Sequence, residues 1–397
     1  MVFYLRSLLR SETSGINNFI RVSFFTCSFL SYIGSARGFW IVRHGSLSTD
    51  RLDPIVQPDV VSSHVHTIVG AKNFGPTVDK ETLLASECTT APVQADMSSY
   101  WAPQLYYQSA NGSLTLIPIQ AVNTYYLNRE GENGDINPFP AGLRMVAGNP
   151  YNNQSDKAVS FVCLGPGDSP QTDKLPTSQC PSGLRAQVTF PSCWDTKNLD
   201  SDDHKSHMSY PKGDFVDSGN CPSSHPQKVM TLFHEWIFNV QNFEFREGQK
   251  NWVFSFGDDI GYGFHADFVN GWKQEVLAAA VKQCTGTDFG VENCDPFKDS
   301  IDHDKASSCT RASTVDEAVG KDSPIDALPG CNPIPVQKDA TCSNSQTPSI
   351  SGGSGNSTET SSANASKSAT KTADSSEISN TSTTSASGNS TQSTTTA

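Results

Sequence analysis

Between Leu199 and His207 the chain places three carboxylates (Asp200, Asp202, Asp203), two imidazoles (His204, His207) and the Lys205 amine, with no apolar residue after Leu199. A run this polar is neither a core strand nor a buried helix face, so it is a solvated loop or a site. Two other stretches repeat the chemistry: Ser63-His64-Val65-His66 upstream and Gly261-Tyr262-Gly263-Phe264-His265-Ala266-Asp267 downstream. On a strand, His64, His66 and Ile68 share one face, which sets the two imidazoles roughly 7 Å apart and aims them at one ligand or one metal.

Cleaving a glycosidic bond takes a general acid and either a base or a nucleophile, commonly two carboxylates. Asp203, Asp258 and Asp267 are the first candidates and Asp200 the next. His64, His66, His207 and His265 suit the holding of protonation states, the binding of sugar hydroxyls or the role of base. Trp101, Trp194 and Trp272 lie close in sequence to these motifs and would offer flat faces to sugar rings, with Lys205 and Asn270 as polar contacts. A second reading puts a divalent metal (zinc, copper or manganese) on His64 and His66, with His207 first, or His265, and an aspartate completing the shell. The expected activity is that of a glycan-active hydrolase or lyase using a His/Asp cluster, with or without the help of a metal. The alternative is a non-catalytic cell-wall or carbohydrate-binding module presented on a glycosylated stalk.

These residues need a rigid scaffold. Strand-like runs occur at Phe39–Val42, Val60–Gly70, Ser99–Tyr107, Leu114–Ile119, Val122–Leu127, Gly142–Ala147, Ala186–Phe190, Val229–Val240 and Trp252–Phe256, the last expected to end the series. Asn111-Gly112 between two of them signals a hairpin. Asp79 is placed to cap a short helix toward Cys88. The only long helical pattern lies in Phe264–Cys284, where Trp272, Val276, Leu277, Ala280, Val281 and Cys284 recur at helical spacing. It puts His265 and Asp267 at or just before the helix start. Gly148–Pro181 reads as loop around Phe161–Leu164. The fold expected is mainly β, an antiparallel sandwich or jelly roll with a few helices, tied by disulfides.

Arg6, Arg10 and Arg21 precede an apolar run from Val22 to Ile33, and Gly34-Ser35-Ala36 has the small residues of a cleavage site, so residues 1–36 read as a signal peptide. The globular domain is expected over residues 37–296, a cysteine-containing appendage or spacer over 297–342, and a disordered Ser/Thr-rich tail over 343–397. Ten of the eleven cysteines remain after the signal, an even number that in an oxidising compartment argues for disulfides, with Cys284 and Cys294 the natural local pair. No cysteine sits in zinc-site CxxC spacing. Sequons at Asn111, Asn153, Asn356, Asn364, Asn380 and Asn389 fit an exported glycoprotein, extracellular or cell-wall associated. With 41 acidic against 28 basic residues, nucleic acid is an improbable partner; a polysaccharide is the expected one, the chain being monomeric without a membrane span after cleavage.

Asp53-Pro54-Ile55-Val56, Ser62 through Gly70, Asn73-Phe74-Gly75, Tyr100-Trp101-Ala102-Pro103, Phe190 through Trp194, Leu199-Asp200 with Asp203 through His207, and Gly261 through Trp272 follow one another in an order that resembles the family called domain of unknown function nineteen-ninety-six, found in secreted fungal and some bacterial proteins. The resemblance spans roughly residues 39–296 and implies where the site lies without naming its reaction. It also marks departures. Family members have a cysteine just after the Phe-Trp opening, where this chain reads Ile41-Val42-Arg43-His44, and often one just after Cys88, where it reads Thr89-Thr90-Ala91. By that comparison a family disulfide is lost, leaving Cys88 unpaired or re-paired with the appendage.

Overall fold

The computed structural model describes residues 38–129, 136–167, 169–285, 290–338 and 348–350. The stretch read as a signal peptide and nearly all of the Ser/Thr-rich tail lie outside the described residues. In chain order the strands and helices are β1 (Phe39–His44), β2 (Ser48–Asp50), β3 (His66–Gly70), α1 (Lys80–Leu84), β4 (Ser99–Pro103), β5 (Leu105–Gln108), β6 (Leu114–Leu116), β7 (Ile119–Leu127), β8 (Arg144–Gly148) and β9 (Val159–Leu164). They continue with β10 (Gly183–Thr189), β11 (Cys193–Trp194), β12 (Met208–Ser209), β13 (Gln227–Lys228), β14 (Thr231–Phe238), β15 (Trp252–Phe254), β16 (His265–Val269), α2 (Gln274–Gln283) and α3 (His303–Ser308). Among the described residues no helix is long and apolar enough to cross a membrane.

Two five-stranded antiparallel sheets dominate, with strand orders β1-β7-β14-β10-β9 and β2-β3-β4-β16-β8. Alternation along the strands explains how they pack. Leu232, His234, Trp236 and Phe238 of β14 and Leu184, Ala186 and Val188 of β10 share one core with Val69, Tyr100, Ala102, Met145, Ala147, Ala266 and Phe268 of the second sheet. The second sheet is buried on its other face too, where Ile68, Trp101, Val146 and Val269 pack under Leu52, Ile55, Cys309 and Val315. β5 and β6 form the hairpin expected around Asn111-Gly112, and Asp79 caps α1 by accepting from Thr82 N.

The helix expected over Phe264–Cys284 begins only at Gln274, and Trp252–Phe254 is not the last strand. His265–Val269 is β16, a central strand paired with both β4 and β8. Its residues alternate, His265 and Asp267 toward one face and Ala266 and Phe268 toward the other, but both faces are covered and the alternation is only four residues long. Trp272 pairs in an isolated bridge with Asp96, ahead of the helix. Gly271 is required between them, because a Cβ there would meet Met97 O at 2.2 Å. Asp267 therefore gains nothing from a helix dipole. Gly148–Pro181 also holds a full strand, β9.

Residues 297–338, expected as an appendage or spacer, run as a strap across the second sheet. Cys88 is bonded to Cys309, so the re-paired alternative holds. Asp50 accepts from Ser313 Oγ, Thr314 N and Oγ1, and Val315 N, Arg51 pairs with Glu317 at 2.7 Å, and Leu114 bridges to Ile325. Cys163–Cys180, Cys193–Cys221 and the expected Cys284–Cys294 are also bonded.

Between the sheets lie His44 and His234, with ring centroids each 5.2 Å from that of Tyr100. Burial lowers His44 to about 3 and holds His234 well below the usual histidine range. A depressed folded pKa means that the unfolded chain takes up the proton first, so stability present above pH 6.5 is lost as pH falls toward about 3, at about 1.4 kcal/mol per pH unit for each histidine. Asp96, raised by burial to about 6, works the other way below that pH. His234 has no hydrogen-bond partner among the described residues, so His234→Phe removes one proton site without breaking a bond. Its Tm is expected to fall less than that of the wild type between pH 7 and 4.5; parallel Tm curves would refute the assignment.

Candidate functional site

The outer face of the second sheet carries the chemistry. His66 on β3 and His265 and Asp267 on β16 point to this side because each shares strand parity with Ile68, Trp101 or Val269. His64 lies just before β3, where the chain bends, and its ring centroid is 4.3 Å from that of His66 and 5.1 Å from that of His265. The three imidazoles offer one nitrogen each, all within 4.8 Å of one another; His64 Nε2 and His265 Nε2 are 3.1 Å apart. The outer nitrogens are tethered. His66 Nδ1 donates to Leu52 O at 3.0 Å, His265 Nδ1 donates to Gly263 O at 2.8 Å, and His64 Nδ1 lies 2.9 Å from Ser63 Oγ. Burial keeps all three rings neutral: His66 and His265 fall to about 3, and His64 is well below the usual range, pushed further by the other two rings and Arg51.

Two carboxyls share the patch. Asp267 is 1% exposed, and neither of its oxygens has a hydrogen-bond partner among the described residues. Burial raises its pKa well above the carboxylate range, Asp53 adds to this and Lys205 opposes it. Burial also raises Asp53, against amide bonds from Val56 and Ile55. Lys205 donates to Gly148 O, next to His265 in the β8–β16 ladder, and borders a cleft of about 480 Å³ lined by Asn149, Asn152, Asp156, Ser209 and Tyr210. The Leu199–His207 loop thus reaches the site through Lys205.

The other candidates hold structure. His207 donates from Nε2 to Arg144 O at 2.7 Å and its Nδ1 engages Ser201 Oγ at 2.9 Å; with both nitrogens engaged it lies outside the histidine group, and His265 takes the place expected for it. Asp203 accepts from Lys205 N, Ser206 N and Ser201 Oγ, which holds its pKa far below the ordinary range and shapes the loop. Asp200 joins His204 to Arg144. Asp258 accepts from Ile260, Gly261 and Gly263 amides at 2.7–2.9 Å, so it fixes the turn whose Gly263 O orients His265. Trp101 and Trp272, 0% and 1% exposed, are core residues with no face for a sugar. Trp194 is half-buried and donates to Asn198 O. Asn270 spends its amide on Phe139 O and Pro140 O.

Sequence reasoning passed over Asp53 and Ser63 as site residues. Both stand inside quoted motifs, Asp53-Pro54 and Ser63-His64, and direct adjacency to the first imidazole was the available signal for Ser63. For Asp53 there was none: only the tertiary fold brings it beside His265.

No curated protein and no solved structure matches the chain. A family model described as domain of unknown function (DUF1996) matches residues 53–272, a narrower span than the motifs suggest, running from Asp53 of the site to the Trp272 that follows β16. That is more than half of the 397 residues, and the protein belongs to this family.

Proposed function

We propose that the protein is a secreted, glycan-active hydrolase or lyase, with its acid–base groups on the outer face of the second sheet and its substrate in the cleft beside Lys205. One observation supports the reading: His64, His66 and His265, distant in sequence, meet in one buried group beside Asp267, and Lys205, whose charge acts on Asp267, lines a polar cleft. Asp267, held protonated by burial, suits a general acid, and among the described residues no other group occupies its oxygens. Asn149, Asn152, Ser209 and Tyr210 give the cleft the hydroxyl, amide and aromatic character that sugars require. Exposed Asn111 and Asn153, both within sequons, agree with an exported glycoprotein.

The test is a screen of the purified chain against fungal and plant polysaccharides, read as new reducing ends for hydrolysis and as unsaturated product for elimination. Turnover is expected on at least one, and Asp267→Asn should reduce it by about 100-fold or more with little change in Tm. Binding without turnover, unaffected by Asp267→Asn, would replace this reading with the non-catalytic module.

A further inference from the structure

The three outer-face histidines are arranged beyond what their own hydrogen bonds account for. His66 Nδ1 and His265 Nδ1 each meet a carbonyl oxygen, which only accepts, so the protons sit on Nδ1 and the Nε2 atoms carry lone pairs. His64 Nε2 reaches the same spot. One internal arrangement is open: Ser63 Oγ donates to His64 Nδ1, and His64 Nε2 donates to His265 Nε2 across 3.1 Å. It leaves His66 Nε2 fully buried with no partner among the described residues. In the other arrangement the Ser63 hydroxyl turns and accepts from His64 Nδ1. All three Nε2 lone pairs then converge, and a cation satisfies them together.

We propose that His64, His66 and His265 bind one divalent first-row transition ion through their Nε2 atoms. The site is the one discussed above, and the inference rests on that reading only for the use to which the ion is put. Three neutral nitrogen donors suit zinc or copper and are wrong for calcium or magnesium, which take oxygen. Each ring has the outer partner that ligating histidines usually possess: Ser63 Oγ, Leu52 O and Gly263 O. The patch also holds two carboxyls that a bound cation would favour in their ionised form. Asp53 and Asp267 are buried beside each other and the rings, and among the described residues no cation pairs with Asp267 at ion-pair distance. Three ligands fill one side of a tetrahedral shell and leave a position for water or substrate.

Elemental analysis of the full chain, purified without chelators, is expected to find about one zinc or copper ion per chain, the stoichiometry of a single three-histidine site. Stripping with dipicolinate should lower the Tm, and Zn²⁺ should restore it in a concentration-dependent way. His66→Gln and His265→Gln should abolish the zinc response, while His207→Ala should keep it. Ser63→Ala, which removes only an orienting partner, should weaken zinc binding about 10- to 100-fold. Co²⁺ added to stripped wild-type protein gives a second readout, independent of any variant folding: the visible spectrum of a low-coordinate, nitrogen-ligated ion. A wild-type chain that carries no ion and whose Tm ignores Zn²⁺, Cu²⁺, Mn²⁺ and Co²⁺ overturns the proposal, as does a zinc response that survives in both glutamine variants. No readout uses a polysaccharide, so a bound ion in a protein that turns over no glycan supports this site while sinking the reading above.

Discussion

Asp258→Ala is expected to cost about 4 kcal/mol of unfolding free energy, measured by urea denaturation. The size follows from what the carboxylate does. Its two oxygens accept the Ile260, Gly261 and Gly263 amides at 2.8, 2.9 and 2.7 Å, charge-assisted bonds in a buried turn. Truncation removes all three together and leaves buried amides without acceptors. The turn also sets Gly263 O, the acceptor that orients His265, so the variant should lose metal and any activity along with stability. Asp258→Asn separates the two effects. Its oxygen can keep the pair of bonds to Ile260 and Gly261, but its amide then faces the Gly263 N–H, donor against donor, so a smaller stability loss and a misplaced His265 are expected. An Asp258→Ala variant as stable as the wild type would make the residue catalytic rather than a positioning group.

The second large effect is expected from Cys88→Ser with Cys309→Ser. The bond closes a sequence separation of 221 residues, and chain entropy alone assigns about 5 kcal/mol to so long a loop. The disulfides nested inside it shorten the effective loop, but the dependence on length is logarithmic, so the expectation stays at about 5 kcal/mol. Because Cys309 caps α3 within the strap, the loss should be visible locally as faster proteolysis within residues 303–338. Unchanged proteolysis and an unchanged denaturation midpoint would show that the Asp50 and Arg51 bonds hold the strap without the disulfide.

Elements with one wet and one dry face were legible. β14 alternates through Leu232, His234, Trp236 and Phe238, and all four are buried; Asp79 announced α1 by its side chain. β16 was not legible, because its His265–Phe268 alternation is only four residues long, and the in-phase Trp272 lent its neighbourhood a false helical period. The strap was hidden for a different reason. It is held by Asp50 and Arg51 and by few apolar residues, Val315 and Leu328 among them, so its composition resembles a spacer. At the site, the His-x-His spacing was enough to pair His64 with His66, although only His66 is on β3 and His64 reaches it from the bend before the strand. His207 was misjudged because spacing does not reveal that both nitrogens of a ring are already engaged. Trp101 and Trp272 were misjudged because nearness in sequence to a motif says nothing about whether other residues cover the ring.

The strap also sets a schedule for biosynthesis. Asn332 of the strap bonds to Ser63 O, Tyr106 donates to Val319 O, and Glu317 meets Arg51. Every one of these ties joins an early segment to a late one. While a ribosome is still making residues 310–335, both sheets can have paired and Leu52, Ile55 and Phe74 can cover part of the second face, yet the part under Val315 is still open to solvent. The nascent protein therefore passes through a stage with a completed inner core and a half-covered second face, the stage at which a chaperone or an oxidoreductase acting on Cys88 has access to it.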